Sequence, residues 1–455
     1  MSAQVTFSHT FRFPVYFPIR SLSFGAVVLA SSLVLVTACG PNGPPSGDAR
    51  HTLAEEPVDE PDAIDSLSHI SWEWEAPVWT DITDVSSVAP GPAVFLRDGV
   101  IVLDGNTGEE VWSYIAPEDR SFYGFLNHDR SAFIVALGES SESNQEVFLL
   151  DVFTGADIGT IEIPEEPFAT GLDKVNLSFR ATRDERVEES QQTYSVRDLD
   201  TGEIQWEQEE ILSCADAPDM DSVQDDAVIH TSVLIIAVTC SPEVYKEGME
   251  VFHSVTALDL SDGSEVWRQN IVEIETSISP DAKLDVMGDE VVLHSHGMNT
   301  AHVIDVQEGD IVEEIAEPVV AVFEEGLLVD DSGAGHLTRS NVDGPTEYYA
   351  LLAGEGTKKS LVLPDDSWDV TTPQEVSLFP DGLASVEAKK KEEGGELTLR
   401  FTAWDGTSSV LDAGSSSTLT DFTDEMRFGM VTRVPGGAAL VNQNTGGSDV
   451  VVAYH

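Results

Sequence analysis

Histidines, cysteines and clustered carboxylates are the side chains of this sequence with chemistry to offer. "HSH" puts His294 and His296 on one face of an extended segment, a spacing that can ligate zinc, with His302 nearby. A solvated or hydrogen-bonded pair is the preferred reading. The run "DAPDMDSVQDD", residues 216–226, is dense in acid but lacks the glycine and the twelfth-position glutamate of a calcium-binding EF-hand loop. Cys214 and Cys240 are the only cysteines besides Cys39, and no CxxC spacing points to redox chemistry. Two such thiols in an exported chain suggest a Cys214–Cys240 disulfide, with two free buried thiols as the alternative. G-x-S-x-G, H-E-x-x-H and P-loop motifs are absent. The expectation is a protein that is not an enzyme, with no catalytic, cofactor-binding or metal-binding residues.

Export is read from the first residues. Residues 1–20 hold only Arg12 and Arg20 as fixed charges, and "LSFGAVVLASSLVLVTA" then runs uncharged to Cys39. That pattern reads as a secretory signal rather than a lasting membrane span. The join "VTAC" (Val36 to Cys39) resembles the lipobox of bacterial lipoproteins. The resemblance implies a signal peptide over 1–38 and acyl chains, palmitate among them, on Cys39. Several acyl chains on one residue anchor stably, since each buried methylene contributes about 0.8 kcal/mol. Residues 39–69 are rich in Pro, Gly, Asp and Glu and read as the lipidated cysteine followed by a disordered acidic tether. The protein is thus expected in the cell envelope, on the extracytoplasmic face of a membrane.

From 70 to 455 the chain repeats itself. An aspartate with glycine four residues on recurs at Asp104/Gly108, Asp151/Gly155, Asp198/Gly202, Asp259/Gly263 and Asp305/Gly309, in steps of 47, 47, 61 and 46 residues. Weaker anchors at Leu352, Asp405 and His455 keep the rhythm, in steps of 47, 53 and 50. Each unit holds short β-branched runs broken by Gly, Asp and Asn, which is strand and hairpin chemistry. The anchor glycine supplies the positive φ that a tight hairpin turn often requires. Units of this length with about four strands each are propeller blades. The 61-residue step places an insertion within "CSPEVYKEGMEVF".

The phrases "LDGNTGEEVW", "RDLDTGEIQW" and "LDLSDGSEVW" resemble the PQQ-like (quinoprotein) repeat, a relative of WD40-type repeats. In that family the hairpin forms a blade's two outer strands and its tryptophan packs on a neighbouring blade near the turn glycine. The resemblance assigns that role to Trp112, Trp206 and Trp267. Gly159 and Glu313 occupy the tryptophan position in the second and fifth units, so aliphatics such as Ile161 and Ile315 are expected to pack those seams. Quinone cofactors are not carried over, because the adjacent cysteines and calcium set of the quinoprotein dehydrogenases are absent.

The ends of the repeat region suggest how the blades are completed. The chain stops on "DVVVAYH", one strand short of a blade, and the region opens on "ISWEWEAPVW", an orphaned fourth strand with Trp72 or Trp74 at the docking position. The expectation is an all-β, eight-bladed propeller of four-stranded antiparallel blades, with seven as the alternative, its ring closed by the N-terminal strand. Pairing Asn442 with Gly446 instead gives a step of only 37 residues from Asp405.

Charge narrows the partners. The net charge is −59, and removing the two arginines of the signal segment leaves −61. Such a surface repels nucleic acid and anionic lipid headgroups. Acid at strand ends solubilises an exported protein, and it also suits a partner with a basic face. The resemblance extends to the propeller lipoprotein of the outer-membrane β-barrel assembly machinery, which binds partners and performs no chemistry. The expected function is therefore a monomeric, lipid-anchored protein-binding scaffold. The alternative is an enzyme or ligand-binding protein with its site at the channel mouth.

Overall fold

The computed structural model describes residues 49–455 apart from 128–129, 140–144, 162–179, 182–184, 191–192, 199–203, 210–220, 242–249, 275–282, 295–299, 318, 331–345, 354–357, 364–375, 389–396, 412–429 and 443–448. All of the described structure belongs to one compact unit, Asn42–His455. No helix occurs among the described residues, and none could cross a membrane.

Eight antiparallel sheets follow one another along the chain. The first holds Ile82–Val88, Gly91–Leu96, Gly99–Leu103 and Glu110–Ile115, and the second Arg120–Leu126, Ala132–Glu139, Gln145–Asp151 and Asp157–Ile161. Arg180–Ala181, Glu185–Ser190, Thr193–Asp198 and Ile204–Glu209 form the third. The fourth, of Asp221–His230, Val233–Ser241, Glu250–Asp259 and Glu265–Ile274, has strands of nine or ten residues. Part of the extra length in the 61-residue step thus goes into longer strands.

Lys283–Met287, Glu290–His294, Ala301–Asp305 and Ile311–Ile315 make the fifth sheet. The sixth is Val319–Phe323, Gly326–Asp330, Thr346–Leu352 and Lys358–Leu363, and the seventh Val376–Phe379, Gly382–Ala388, Leu397–Ala403 and Ser408–Leu411. Met430–Val434, Gly437–Asn442 and Val450–Tyr454 begin the eighth, and the N-terminal strand Ile70–Glu75 completes it, with Trp72 opposite Ala453 and Glu75 opposite Val450.

The expected closed ring of four-stranded blades is corrected on two counts. The first sheet has five strands, because Arg50–Thr52 adds to the outer edge of Glu110–Ile115. The sheets are also not closed into a ring. Seven neighbouring pairs share an apolar cluster, such as the one joining the eighth and first sheets through Trp72, Ile82, Val94, Val441 and Val451. Among the described residues the second and third sheets share none: Ile134, Ala136, Val147 and Leu149 cluster only with residues of their own sheet.

The physical reason is local. Among the described residues the innermost strand of the third sheet is Arg180–Ala181, which lines little of the seam. Gly159, where the first, third and fourth sheets carry an indole, offers no side chain to cross the gap. Ile315 is buried in the cluster joining the fifth and sixth sheets, whereas the side chain of Ile161 lies outside the described residues.

Part of the segment read as a tether is packed on the sheets. Besides the strand Arg50–Thr52, Leu67 is buried with the seventh and eighth sheets, and Pro61 sits over Gly105 and Gly436.

Candidate protein-binding surface

The outer hairpins of the first, second, fourth and fifth sheets are built the same way. In the first sheet the Asp104 carboxylate accepts from the backbone N–H groups of Asn106 and Thr107 at 2.7 and 3.0 Å, and Gly108 N–H donates to Asp104 O at 2.8 Å. Gly108 takes φ +71°, and a Cβ there would lie 2.5 Å from the Trp72 ring. An aspartate that satisfies the turn and a glycine that admits the indole are therefore one device.

The device repeats along the chain. Asp151 accepts from Phe153 and Thr154, Asp259 from Ser261, and Asp305 from Gln307 and Glu308; Asp405 accepts from Thr407 in the same manner, but its glycine is Gly406 and no ring lies over it. Hydrogen bonds from the Thr407 hydroxyl and backbone hold the Asp405 carboxyl below its ordinary range. The indoles complete it across seams. Trp112 lies on Gly155 and donates to Val152 O, Trp206 lies on Gly263 and donates to Leu260 O, and Trp267 lies on Gly309 and donates to Val306 O. Trp72 does the same to Gly105 O. The side chain of Asp198, and Gly202 altogether, lie outside the described residues, as do Cys39 and Cys214. Cys240 is fully buried and disulfide-bonded.

Among the described residues the histidines do not assemble as a metal site. His294 and Asp285 form a pair, Nε2 to Oδ2 2.6 Å, on one face of the fifth sheet. His302 lies opposite Leu293, on the other face, and is buried. His296 lies outside the described residues. Among the described residues no group of three or more His, Cys, Asp or Glu is placed to hold a metal ion. The acid run 216–226 ends in a strand, where Asp226 caps Leu284 N–H of the fifth sheet at 2.9 Å. Its role there is to join two sheets.

What sequence reading missed is a cavity of about 1330 Å3 at the inner strands, bordered by Glu60–Ile64 of the N-terminal segment. Two arginines line it. Arg433 pairs with Glu325 at 2.6 Å and lies over the Phe379 ring, and Arg130 reaches Glu324 at 3.9 Å. Both glutamates sit in one turn of the sixth sheet. The available signal was the scarcity of base, 23 Lys and Arg against 82 acids, which marks any inward arginine. A second missed feature is a buried histidine on the fourth sheet, His253. It is bonded to Thr239 Oγ1 at 3.1 Å, and burial, then the neighbouring His302, pushes its pKa down to about 4.

Residues 84–269, the first four sheets, match the family model described as outer membrane protein assembly factor BamB. The fold is of the BamB-like β-propeller type. Among solved structures, BamB from Moraxella catarrhalis is similar at 14% identity, covering 85% of this chain and 99% of that one with a TM-score of 0.44. The WD40 domain of SCAP from fission yeast follows at 11% identity, 84% and 98% coverage and a TM-score of 0.42. Hsv2 of Kluyveromyces lactis gives 11%, 73% and 97%, and 0.39. No curated protein matches the chain in sequence.

Proposed function

We propose that this protein is a lipid-anchored scaffold that binds another protein on the extracytoplasmic face of a bacterial membrane, without chemistry of its own. The observation that carries the reading is the match of four consecutive sheets to the assembly-factor model. The export signal and "VTAC" supply the anchor at Cys39, and residues 70–455 supply the binding body. Within that body we assign Cys214 as the partner of Cys240, since no other cysteine remains after Cys39 is acylated.

Affinity capture from solubilised envelope tests the reading. The expected result is a defined protein recovered with the full chain and lost when the envelope is washed free of peripheral proteins at high salt. Recovery of the full chain alone, over a range of detergents and at low salt, would overturn it. Replacing Cys39 by Ser should release the chain from membranes or leave it unprocessed, as read by fatty-acid labelling.

A further inference from the structure

The outer edges of the sheets are not all alike. That of the first sheet is covered by the protein's own strand Arg50–Thr52, whose register sets Arg50 against Ile115, His51 against Tyr114 and Thr52 against Ser113. The covering strand is basic in a chain with little base. Thr52 Oγ1 donates to Glu110, His51 Nε2 lies 2.7 Å from Gly155 O, and the Arg50 guanidinium stands over the Trp79 ring at 5.3 Å. This is strand addition within one molecule.

The equivalent strand of the fifth sheet, Ile311–Ile315, stands at its sheet's edge with no further strand among the described residues. Counting from the anchor aspartates, Val312 corresponds to Val111, Glu313 to Trp112 and Glu314 to Ser113. Val111 is half-buried, whereas Val312 is 53% exposed. From 300 to 322 the chain has no Lys or Arg but carries Asp305, Glu308, Asp310, Glu313, Glu314 and Glu317. Burial, then Asp305, Asp289 and Glu313, raise the pKa of Glu290, two strands in from this edge.

We propose that the Ile311–Ile315 edge is a docking strip for an extended, lysine- or arginine-bearing segment of a partner protein, added as a fifth strand as Arg50–Thr52 is added to the first sheet. Main-chain hydrogen bonds supply affinity in such a mode, and alternate side chains supply specificity. The bare valine gives the incoming strand an apolar contact, and the acids on either side select for base. Acid on a free edge also deters aggregation, and the test must separate the two roles. The proposal rests on the scaffold reading and names its site.

The test uses the purified full chain and two labelled peptides followed by fluorescence anisotropy. One alternates Lys with Val and Thr; the other has the same charge with Pro at alternate positions, so it cannot form a ladder. The strand-forming peptide should bind roughly tenfold or more tightly than the proline peptide. Glu313→Gln/Glu314→Gln should weaken it by about tenfold, with Glu73→Gln/Glu75→Gln on the eighth sheet changing it less than about twofold. Unchanged melting temperatures establish that both variants fold. Equal binding of the two peptides, or equal losses in the two double variants, would overturn the proposal in favour of diffuse attraction. Capture of an envelope partner undiminished in Glu313→Gln/Glu314→Gln would overturn the site and leave the scaffold reading standing.

Discussion

Two seams of this molecule face the same task with different means. Where the eighth sheet meets the first, Trp72 lies on Gly108 and donates to Gly105 O, and Asp449 accepts from Ile82 N–H at 2.8 Å. A continuous apolar cluster runs across it. Where the second sheet meets the third, Gly159 stands at the indole position, and among the described residues the inner strand is Arg180–Ala181 and the second sheet's cluster of Ile134, Ala136, Val147 and Leu149 holds no residue of the third. An indole is one way to join neighbours; aliphatics such as Ile315 join the fifth and sixth sheets without one. Repeat rhythm alone does not join them.

Removing the strong seam should have the largest effect. Deleting Ile70–Glu75 takes a strand from the eighth sheet together with Trp72, and each large apolar side chain it unburies costs about 1.5–3 kcal/mol. Set against a typical domain stability of roughly 5–15 kcal/mol, the expected product aggregates or is proteolysed on expression. By contrast, Ala181→Pro at the weak seam should leave the melting temperature nearly unchanged. Deleting residues 40–48 should also leave a folded body, whereas deletion through Leu67 should destabilise it, because Pro61 and Leu67 are packed.

Next in size is a single staple. Trp112→Ala should destabilise by about 3–5 kcal/mol in denaturant titration. Ile158→Ala, beside the unshared cluster of the second sheet, should cost less than about 1 kcal/mol. Equal costs would mean that the weak seam is packed as tightly as the others.

Acid should act on the seam between the fourth and fifth sheets. His253 is fully buried with its pKa lowered to about 4, below the value of about 6.5 in an unfolded chain. The unfolded state therefore binds the proton first. The stabilising contribution is complete above pH 6.5, is lost as pH falls from 6.5 to 4, and amounts to about 3 kcal/mol. His253→Gln should flatten stability across that window relative to the parent. The smallest effect is expected at the covered edge, where Arg50→Ala removes one contact over Trp79 worth about 0.5–1 kcal/mol.

Much of this is legible in the sequence. The Asp–Gly anchors mark real turns because a carboxylate must satisfy free N–H groups and only glycine admits the indole at positive φ, so side-chain chemistry is written into spacing. Eight units and the pairing of "SWEWE" with "VVVAY" follow the same logic. Ring closure was not legible, because it depends on packing between the inner strands of neighbouring sheets, which the anchors do not report. Nor was the strand Arg50–Thr52: three polar residues in a Pro- and acid-rich stretch have no period, and they become a strand only because an edge is there to receive them. The cavity arginines and His253 escaped for a similar reason. They gain meaning from neighbours distant in sequence, Arg433 from Glu325 and His253 from His302.

Hydrogen exchange read by mass spectrometry on the intact protein tests the contrast between the seams most directly. Amides of Ile70–Glu75 and Val450–Tyr454 should be protected together, to the level of the most stable sheets. Those of Asp157–Ile161 and Arg180–Ala181 should exchange faster by roughly a hundredfold or more, reflecting local opening at low free energy. Equal protection at both seams would contradict the account and mean that the sheets close fully. Fast exchange in Ile70–Glu75 would contradict it from the other side, by detaching the strand on which the eighth sheet depends.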